Sequence, residues 1–336
     1  MKSAFDAIAF ARALINIDST TGQEADAGIW LARELRGLGY TVVEQPIDRG
    51  CANIIATIEP PLVMFSTHYD CVPPFFPSRV EDGRLYGRGA CDAKGILAAQ
   101  VAAAERLRAS GERRVGMLFV IGEERGSDGA KAANNYRTDS KFLINGEPTD
   151  NRLASATRGV LRVRFHATGR AAHSSAPELG ESAIDKLIDA LIEMRSIELP
   201  SDPELGSTYY TVALIEGGIA PNVIPPAASA EANFRTSRPA DEVLRSLQPL
   251  SRTVRVEEVL RVSDVRLQTF DNLGVEIAVF PFATDIPFLN NWGKPLLFGP
   301  GSFHVAHTAE EHVELAELEQ AIDKYVQIAG ACLNAL

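Results

Sequence analysis

The sequence predicts an α/β protein: a mixed, largely parallel sheet flanked by helices, with an inserted α+β domain of ferredoxin-like type. Three observations carry that expectation. Up to Glu147, short apolar runs alternate with amphipathic helical stretches, the pattern of a sheet covered on both faces. After Ala156 the pattern changes. Residues 160–167 alternate apolar and polar, as in a sheet with one wet face. From Gly274 the first pattern returns. The outer domain is therefore placed at residues 1–156 and 268–336, and the insert at 157–267.

Taken in order, residues 4–16 put Ala4, Ala7, Ile8, Ala11, Leu14 and Ile15 on one face of a helix. The polar run 19–24 punctuates and caps a second helix, with a stripe of Ala27, Leu31 and Leu35. Strands are expected at 41–43, 53–58 and 62–68, and an alanine-rich helix follows Asp92. Residues 114–121 form the most continuous apolar run, as a buried strand requires. The insert reads strand 160–167, helix 182–194, strands 209–215 and 228–235, helix 240–247 and strand 254–262. That β-α-β-β-α-β order is the ferredoxin-like unit. A strand at 295–298 and a closing helix bearing Leu315, Leu318, Ile322, Val326 and Leu333 complete the outer domain.

The chain of 336 residues is long enough for two cores, and its 46% hydrophobic and 23% charged content is that of a globular protein. A net charge of −11 argues against a nucleic-acid or anionic-membrane surface, which would need clustered Lys and Arg. The four cysteines, Cys51, Cys71, Cys91 and Cys332, form no C-x-x-C pair and no disulfide framework. Cytosolic thiols are expected, and thiolate ligation by Cys71 or Cys91 is a minor alternative. No basic segment leads into an apolar one at the N-terminus, and no run approaches the ~20 apolar residues of a membrane span. A cytoplasmic location follows as the expectation.

The chemistry gathers at strand ends. His68 and Asp70, two apart at the end of a strand, point to one side. A carboxylate beside an imidazole fixes its tautomer and raises its basicity, as around metals. Asp92, just before a helix, is placed to face the same space. Glu123 and Glu124 adjoin at the next strand exit, where two carboxylates are costly unless a cation or a proton separates them. Glu147 follows a further strand. His304 and His307 lie three apart after Gly299-Pro300-Gly301, and spacing alone leaves either as a ligand. Two histidines and four carboxylates suffice for two divalent ions sharing a bridging carboxylate, plus one free base.

On these motifs the chain resembles the M20 family of co-catalytic zinc peptidases and amidohydrolases, whose members include acetylornithine deacetylase and succinyl-diaminopimelate desuccinylase. The matching residues are His68-x-Asp70-x-Val72-Pro73, Gly87-Arg88-Gly89-x-x-Asp92-x-Lys94-Gly95, Glu123-Glu124, Gly146-Glu147-Pro148 and Ala306-His307-Thr308. Within the insert they are Gly169-Arg170-Ala171-Ala172-His173-Ser174-Ser175, and Gly217-Gly218 with Asn222-Val223-Ile224-Pro225. The resemblance implies a zinc-exopeptidase-like outer domain and two Zn²⁺ per chain, replaceable by Co²⁺ or Mn²⁺. It implies that His68 and Glu147 serve one ion and His307 and Glu124 the other, with Asp92 bridging. Asp70 would orient His68, and Glu123 would be the general base. His173 would reach across a homodimer formed through the insert, acting as a lid, to polarise the scissile carbonyl. Arg235 and Asn222 would contact substrate. The implied activity is cleavage of an N-acyl amino acid, of the acetylornithine deacetylase type. The alternative is a dipeptidase, a carboxypeptidase or a succinyl-diaminopimelate desuccinylase, and a non-catalytic metal-dependent binding protein is the rival from another class. Three features depart from the family: Ala93 where Met is common, Gly122 where many members have Asp, and a short segment between His68 and Asp92.

Overall fold

A computed structural model describes residues 5–336. Ala4, assigned to the first helical face, lies outside the described residues. In chain order come α1 (Ala7–Ile15), α2 (Ala25–Leu38), β1 (Thr41–Asp48), β2 (Cys51–Thr57), β3 (Val63–His68), α3 (Lys94–Ala109), β4 (Val115–Val120), the short α4 (Asp128–Ala133) and β5 (Phe142–Asn145). Next come β6 (Gly159–Thr168), α5 (Ala183–Met194), β7 (Tyr209–Gly217), β8 (Ala227–Thr236), α6 (Ala240–Leu247) and β9 (Arg255–Val262), and then β10 (Lys294–Leu297) and α7 (Leu315–Asn334).

The chain forms two compact units. One comprises 1–155, 267–278 and 284–336, and the other comprises 156–266 with 279–283. In the first, the six-stranded sheet runs β1-β2-β4-β3-β5-β10. The pairs β3–β4, β3–β5 and β10–β5 are parallel, whereas β1–β2 and β2–β4 are antiparallel. The sheet is therefore mixed and largely parallel. Every residue of β3, β4 and β5 is buried, which explains the apolar runs 63–65, 115–120 and 142–144. Helix α3 is buried over most of its surface and packs on α1 and α7.

Beneath the strand ends, Tyr325 of α7 sits edge-on to Phe65 and Phe298, with ring centroids 5.3 and 5.0 Å away. Such pairs contribute ~0.5–1.5 kcal/mol each beyond their burial. The Tyr325 hydroxyl donates to the carbonyl of Phe298 at 2.6 Å. The helix is thereby pinned under the edge where the functional residues emerge.

In the second unit a four-stranded antiparallel sheet runs β7-β8-β6-β9, the strand order of the ferredoxin-like unit. Leu161, Val163, Phe165, Ala232 and Phe234 face α5 and α6 to make its own core. Ser182 caps α5, accepting from the backbone N–H of Asp185. β7 is an edge strand with exposed Leu214 and Ile215.

The polar run before α2 behaves differently from a capping box. Glu24 occupies the N-cap position without a side-chain cap bond. Ser19 and Thr21 instead reach across to the end of β3, where Ser19 donates to the Tyr69 carbonyl and Thr21 Oγ1 to Asp70 Oδ2. Tertiary partners at a strand exit satisfy these hydroxyls in place of local backbone.

Candidate metal centre

All the proposed ligands belong to the first unit. β3 ends at His68, β4 runs into Glu123-Glu124, and β5 is followed by Glu147. Three parallel strands in register deliver their exits to one edge of the sheet, as open α/β sheets do at ligand sites. The Thr67 hydroxyl donates to the Gly146 carbonyl at 2.8 Å, and the Gly146 N–H to the Ser66 carbonyl at 2.7 Å, so Glu147 is fastened beside His68. At Gly122 the chain turns out of β4 with φ 73°, a left-handed conformation that favours glycine. That accounts for glycine here in physical terms: the turn must bring two successive glutamates back to the strand edge.

His68 is buried and held by both nitrogens. Nδ1 lies 3.0 Å from the backbone carbonyl of Asp70 and 3.5 Å from its carboxylate. A carbonyl or an ionised carboxylate can only accept, so Nδ1 carries a proton, and Nε2, facing Asp92, carries one as well until a cation takes its place. Burial opposes the charged ring, but the bonds to Asp70 and Asp92 outweigh it and raise the imidazole well above its usual value. Nε2 is 2.9 Å from Asp92 Oδ1 and 3.9 Å from Glu147 Oε2. On the other side His307 Nε2 is 3.2 Å from Asp92 Oδ2 and 2.9 Å from Glu124 Oε1. Each oxygen of Asp92 thus faces a different imidazole. His307, rather than His304, makes these contacts, and the ring of His304 lies tilted against Phe303. His307 does so from a left-handed backbone conformation, φ 65°, which is rare outside glycine and often found at functional sites.

Asp70 does more than orient His68. Its Oδ1 accepts from the backbone N–H of Glu123 and its Oδ2 from that of Glu124, each at 3.2 Å. One carboxylate thereby sets both the imidazole and the glutamate pair.

Electrostatics single out the same place. Loss of solvation, then the charge of Glu147, hold the Glu123 carboxyl well above the usual range. Loss of solvation raises Glu147 strongly and Glu124 as well. Asp92 goes the other way: burial works to raise it, but its bonds to His307 and His68 outweigh that and lower it. His307, bonded to Asp92 and Glu124, is raised to about 10. Glu147 Oε1 is buried with no hydrogen-bond partner among the described residues. A buried carboxylate oxygen in that condition is expensive unless a cation meets it. Ligand atoms of His68, Asp92 and Glu124 converge within 4.8 Å of one another. The donor set of imidazoles and carboxylates around a shared carboxylate suits a pair of divalent cations.

The cysteines play another part. Cys71 and Cys91 are buried, burial pushes the Cys71 thiol up to about 12 and the Cys91 thiol higher than usual, and neither joins the converging group of His68, Asp92 and Glu124. Cys91 Sγ donates to the Ser302 carbonyl instead.

His173, Asn222 and Arg235 lie in the second unit. The Ser174 N–H donates to the Asn222 carbonyl at 3.0 Å, and His173 bridges to Val223, so two of the three motifs meet in one loop pair. The exposed His173 accepts at Nδ1 from the Ser175 backbone N–H at 3.2 Å, which leaves the proton of the neutral ring on Nε2. Arg235 sits on β8 opposite the face that buries Phe234.

A further buried carboxylate near the site has no signal in the sequence. Asp285 is buried, its Oδ1 lacks a partner among the described residues, and its charge bears on Glu123 and Glu147. Loss of solvation raises its carboxyl to about 6. In sequence, Thr284-Asp285-Ile286-Pro287 reads as a cap before a short turn, and nothing local separates it from one.

Comparison with known proteins agrees with this frame. Residues 64–331 match the peptidase family M20/M25/M40. A probable carboxypeptidase of Aspergillus clavatus is 34% identical over 97% of this chain and 82% of its own length. Among solved structures, a tripeptidase of Staphylococcus aureus has TM-score 0.81 at 21% identity, covering 98% of this chain and 99% of that one. A Bacillus subtilis dinuclear metal-binding peptidase of family M20 has TM-score 0.73 at 15% identity, covering 98% of each. The chain belongs to the M20/M25/M40 family of peptidases.

Proposed function

We propose that this protein is a di-metal carboxypeptidase acting on short peptides, with Zn²⁺ as the native ion and Co²⁺ or Mn²⁺ able to replace it. The observation that carries the metal chemistry is Asp92, whose two oxygens each face a different imidazole. His68 and Glu147 would hold one ion, His307 and Glu124 the other, and Asp92 both. Bound there, the ions would polarise the scissile carbonyl and make water acidic enough to ionise near neutral pH. Glu123 takes the proton from the attacking water and hands it to the leaving amine. Asp70 holds Glu123 in position through its backbone N–H.

The choice of peptide over acyl amino acid draws its support from the Aspergillus clavatus relative, named a probable carboxypeptidase. The acetylornithine deacetylase reading therefore yields to its alternative. His173 supplies a second donor to the carbonyl from the lid of a partner copy, and the proton on its Nε2 supports that role. The open edge of β7, with Leu214 and Ile215 exposed at 55% and 64%, supports a homodimer through this unit. Arg235 and Asn222 receive the substrate carboxylate. No helix among the described residues is long and apolar enough to cross a membrane, and the four unpaired thiols fit a reducing cytoplasm.

A substrate panel tests this reading: N-blocked dipeptides with free or amidated C-termini, free dipeptides, N-acetylornithine and N-succinyl-diaminopimelate, each with Zn²⁺-loaded protein. Release of the C-terminal residue only from peptides with a free carboxylate is the expected result. Turnover confined to N-acetylornithine would restore the deacetylase reading, and no turnover of any amide would leave a binding protein.

A further inference from the structure

One buried carboxylate outside the proposed ligand set touches the centre from behind. Glu311 is 0% exposed. Its Oε1 accepts from the backbone N–H groups of Gly89 at 2.9 Å, Cys91 at 3.2 Å and Asp92 at 3.1 Å. Its Oε2 pairs with Arg88 Nη1 at 2.5 Å. Arg88, also buried, donates through Nε to the Pro74 carbonyl at 3.2 Å, and its backbone N–H reaches the Phe76 carbonyl at 3.1 Å.

This wiring is more than is needed to bury a charge. The Asp92 turn leads into α3 with no side-chain cap of its own, because Ala93 occupies the N-cap position. Glu311 does not cap the helix but accepts from three amides of the turn that precedes it, from a segment far along the chain. That segment carries His307, the imidazole facing the second oxygen of Asp92. Arg88 extends the same cluster to the short loop between His68 and Asp92.

We propose that Glu311 is a positioning residue for both cations. It fixes the Asp92 turn and ties it to the His307 segment, so that a single carboxylate stays aimed at two ions. This inference rests on the two-ion reading of the site. A carboxylate bound by three amides and a guanidinium cannot swing, and Asp92, whose backbone N–H it holds, loses less freedom when a metal arrives.

The test is titration of chelator-stripped protein with Zn²⁺ alone, against a competing chromophoric chelator, well below the unfolding temperature and with circular dichroism as the check on folding. Glu311→Ala should weaken both ions together by ~10–100-fold, the range for residues that hold metal ligands. Glu311→Gln keeps an oxygen for the three amides but loses the charge facing Arg88, and should fall between Ala and the parent. A folded Glu311→Ala that binds Zn²⁺ like the parent, or that loses only one ion, overturns the proposal. If Glu311→Ala does not fold, Glu311→Gln decides, and unchanged Zn²⁺ affinity overturns it. Asp92→Ala is the control for the site itself. If Asp92→Ala retains both ions, the two-ion reading fails whatever Glu311 does.

Discussion

Consider Glu147→Gln, which turns one buried carboxylate into an amide of nearly the same shape. In the structure Glu147 is 6% exposed, its Oε1 has no partner among the described residues, and the opposite charge of His68 Nε2 lies 3.9 Å from its Oε2. That is beyond hydrogen-bond range, and the carboxyl is still raised well above its usual value. Desolvation therefore outweighs the attraction to His68. Leaving a buried group of this kind unsatisfied costs ~1–3 kcal/mol. In chelator at pH 8, Glu147→Gln should be more stable than the parent, by about 2–10 °C in Tm for a unit of this size.

The sign with pH follows from linkage. A carboxyl whose folded pKa is raised binds more protons folded than unfolded, so the metal-free parent loses stability as pH rises above about 4.5. His307, raised from its ordinary 6.5 to about 10, acts in the same direction across that interval. The advantage of Glu147→Gln should therefore grow with pH. With excess Zn²⁺ the order reverses, because binding stabilises the parent by ~2.7 kcal/mol per site at a hundred times Kd. Differential scanning fluorimetry from pH 5 to 9, with and without Zn²⁺, reads both effects. A variant less stable than the parent in chelator at pH 8 would refute the claim that Glu147 awaits a cation.

Three further outcomes are expected. Glu124→Ala or His307→Ala should each lower bound zinc by about one ion per chain, read by elemental analysis, and unchanged stoichiometry would count against their assignment. Glu123→Ala should retain both ions yet lose ~10²–10⁴-fold in kcat, as for a general base, and loss of metal with activity would make it a ligand instead. His173→Ala should lower kcat with zinc content intact, and mixing with Glu123→Ala protein should recover activity in hybrid dimers. Exchange of subunits without recovery would place the action of His173 within its own chain or nowhere.

Much of this protein is legible in one dimension, because the signals are local or periodic. The buried runs of β3 and β4 announce a sheet covered on both faces, and the alternation in β6 announces one with a wet face. The ordered motifs around His68, Asp92, Glu123-Glu124, Glu147 and His307 identify the family, since each lies at an element boundary where side chains leave the core.

Only the tertiary structure decided what happens between such boundaries. It sends Ser19 and Thr21 to Asp70 and its neighbour rather than to a helix cap, because an acceptor across the fold competes with the local backbone. It separates His307 from His304 by a left-handed backbone conformation that three-residue spacing cannot express. Asp285 and Glu311 look in sequence like a turn cap and a surface acid. Burial alone changes their meaning, since a carboxylate removed from water must find amides, a guanidinium or a cation, and those partners come from distant parts of the chain.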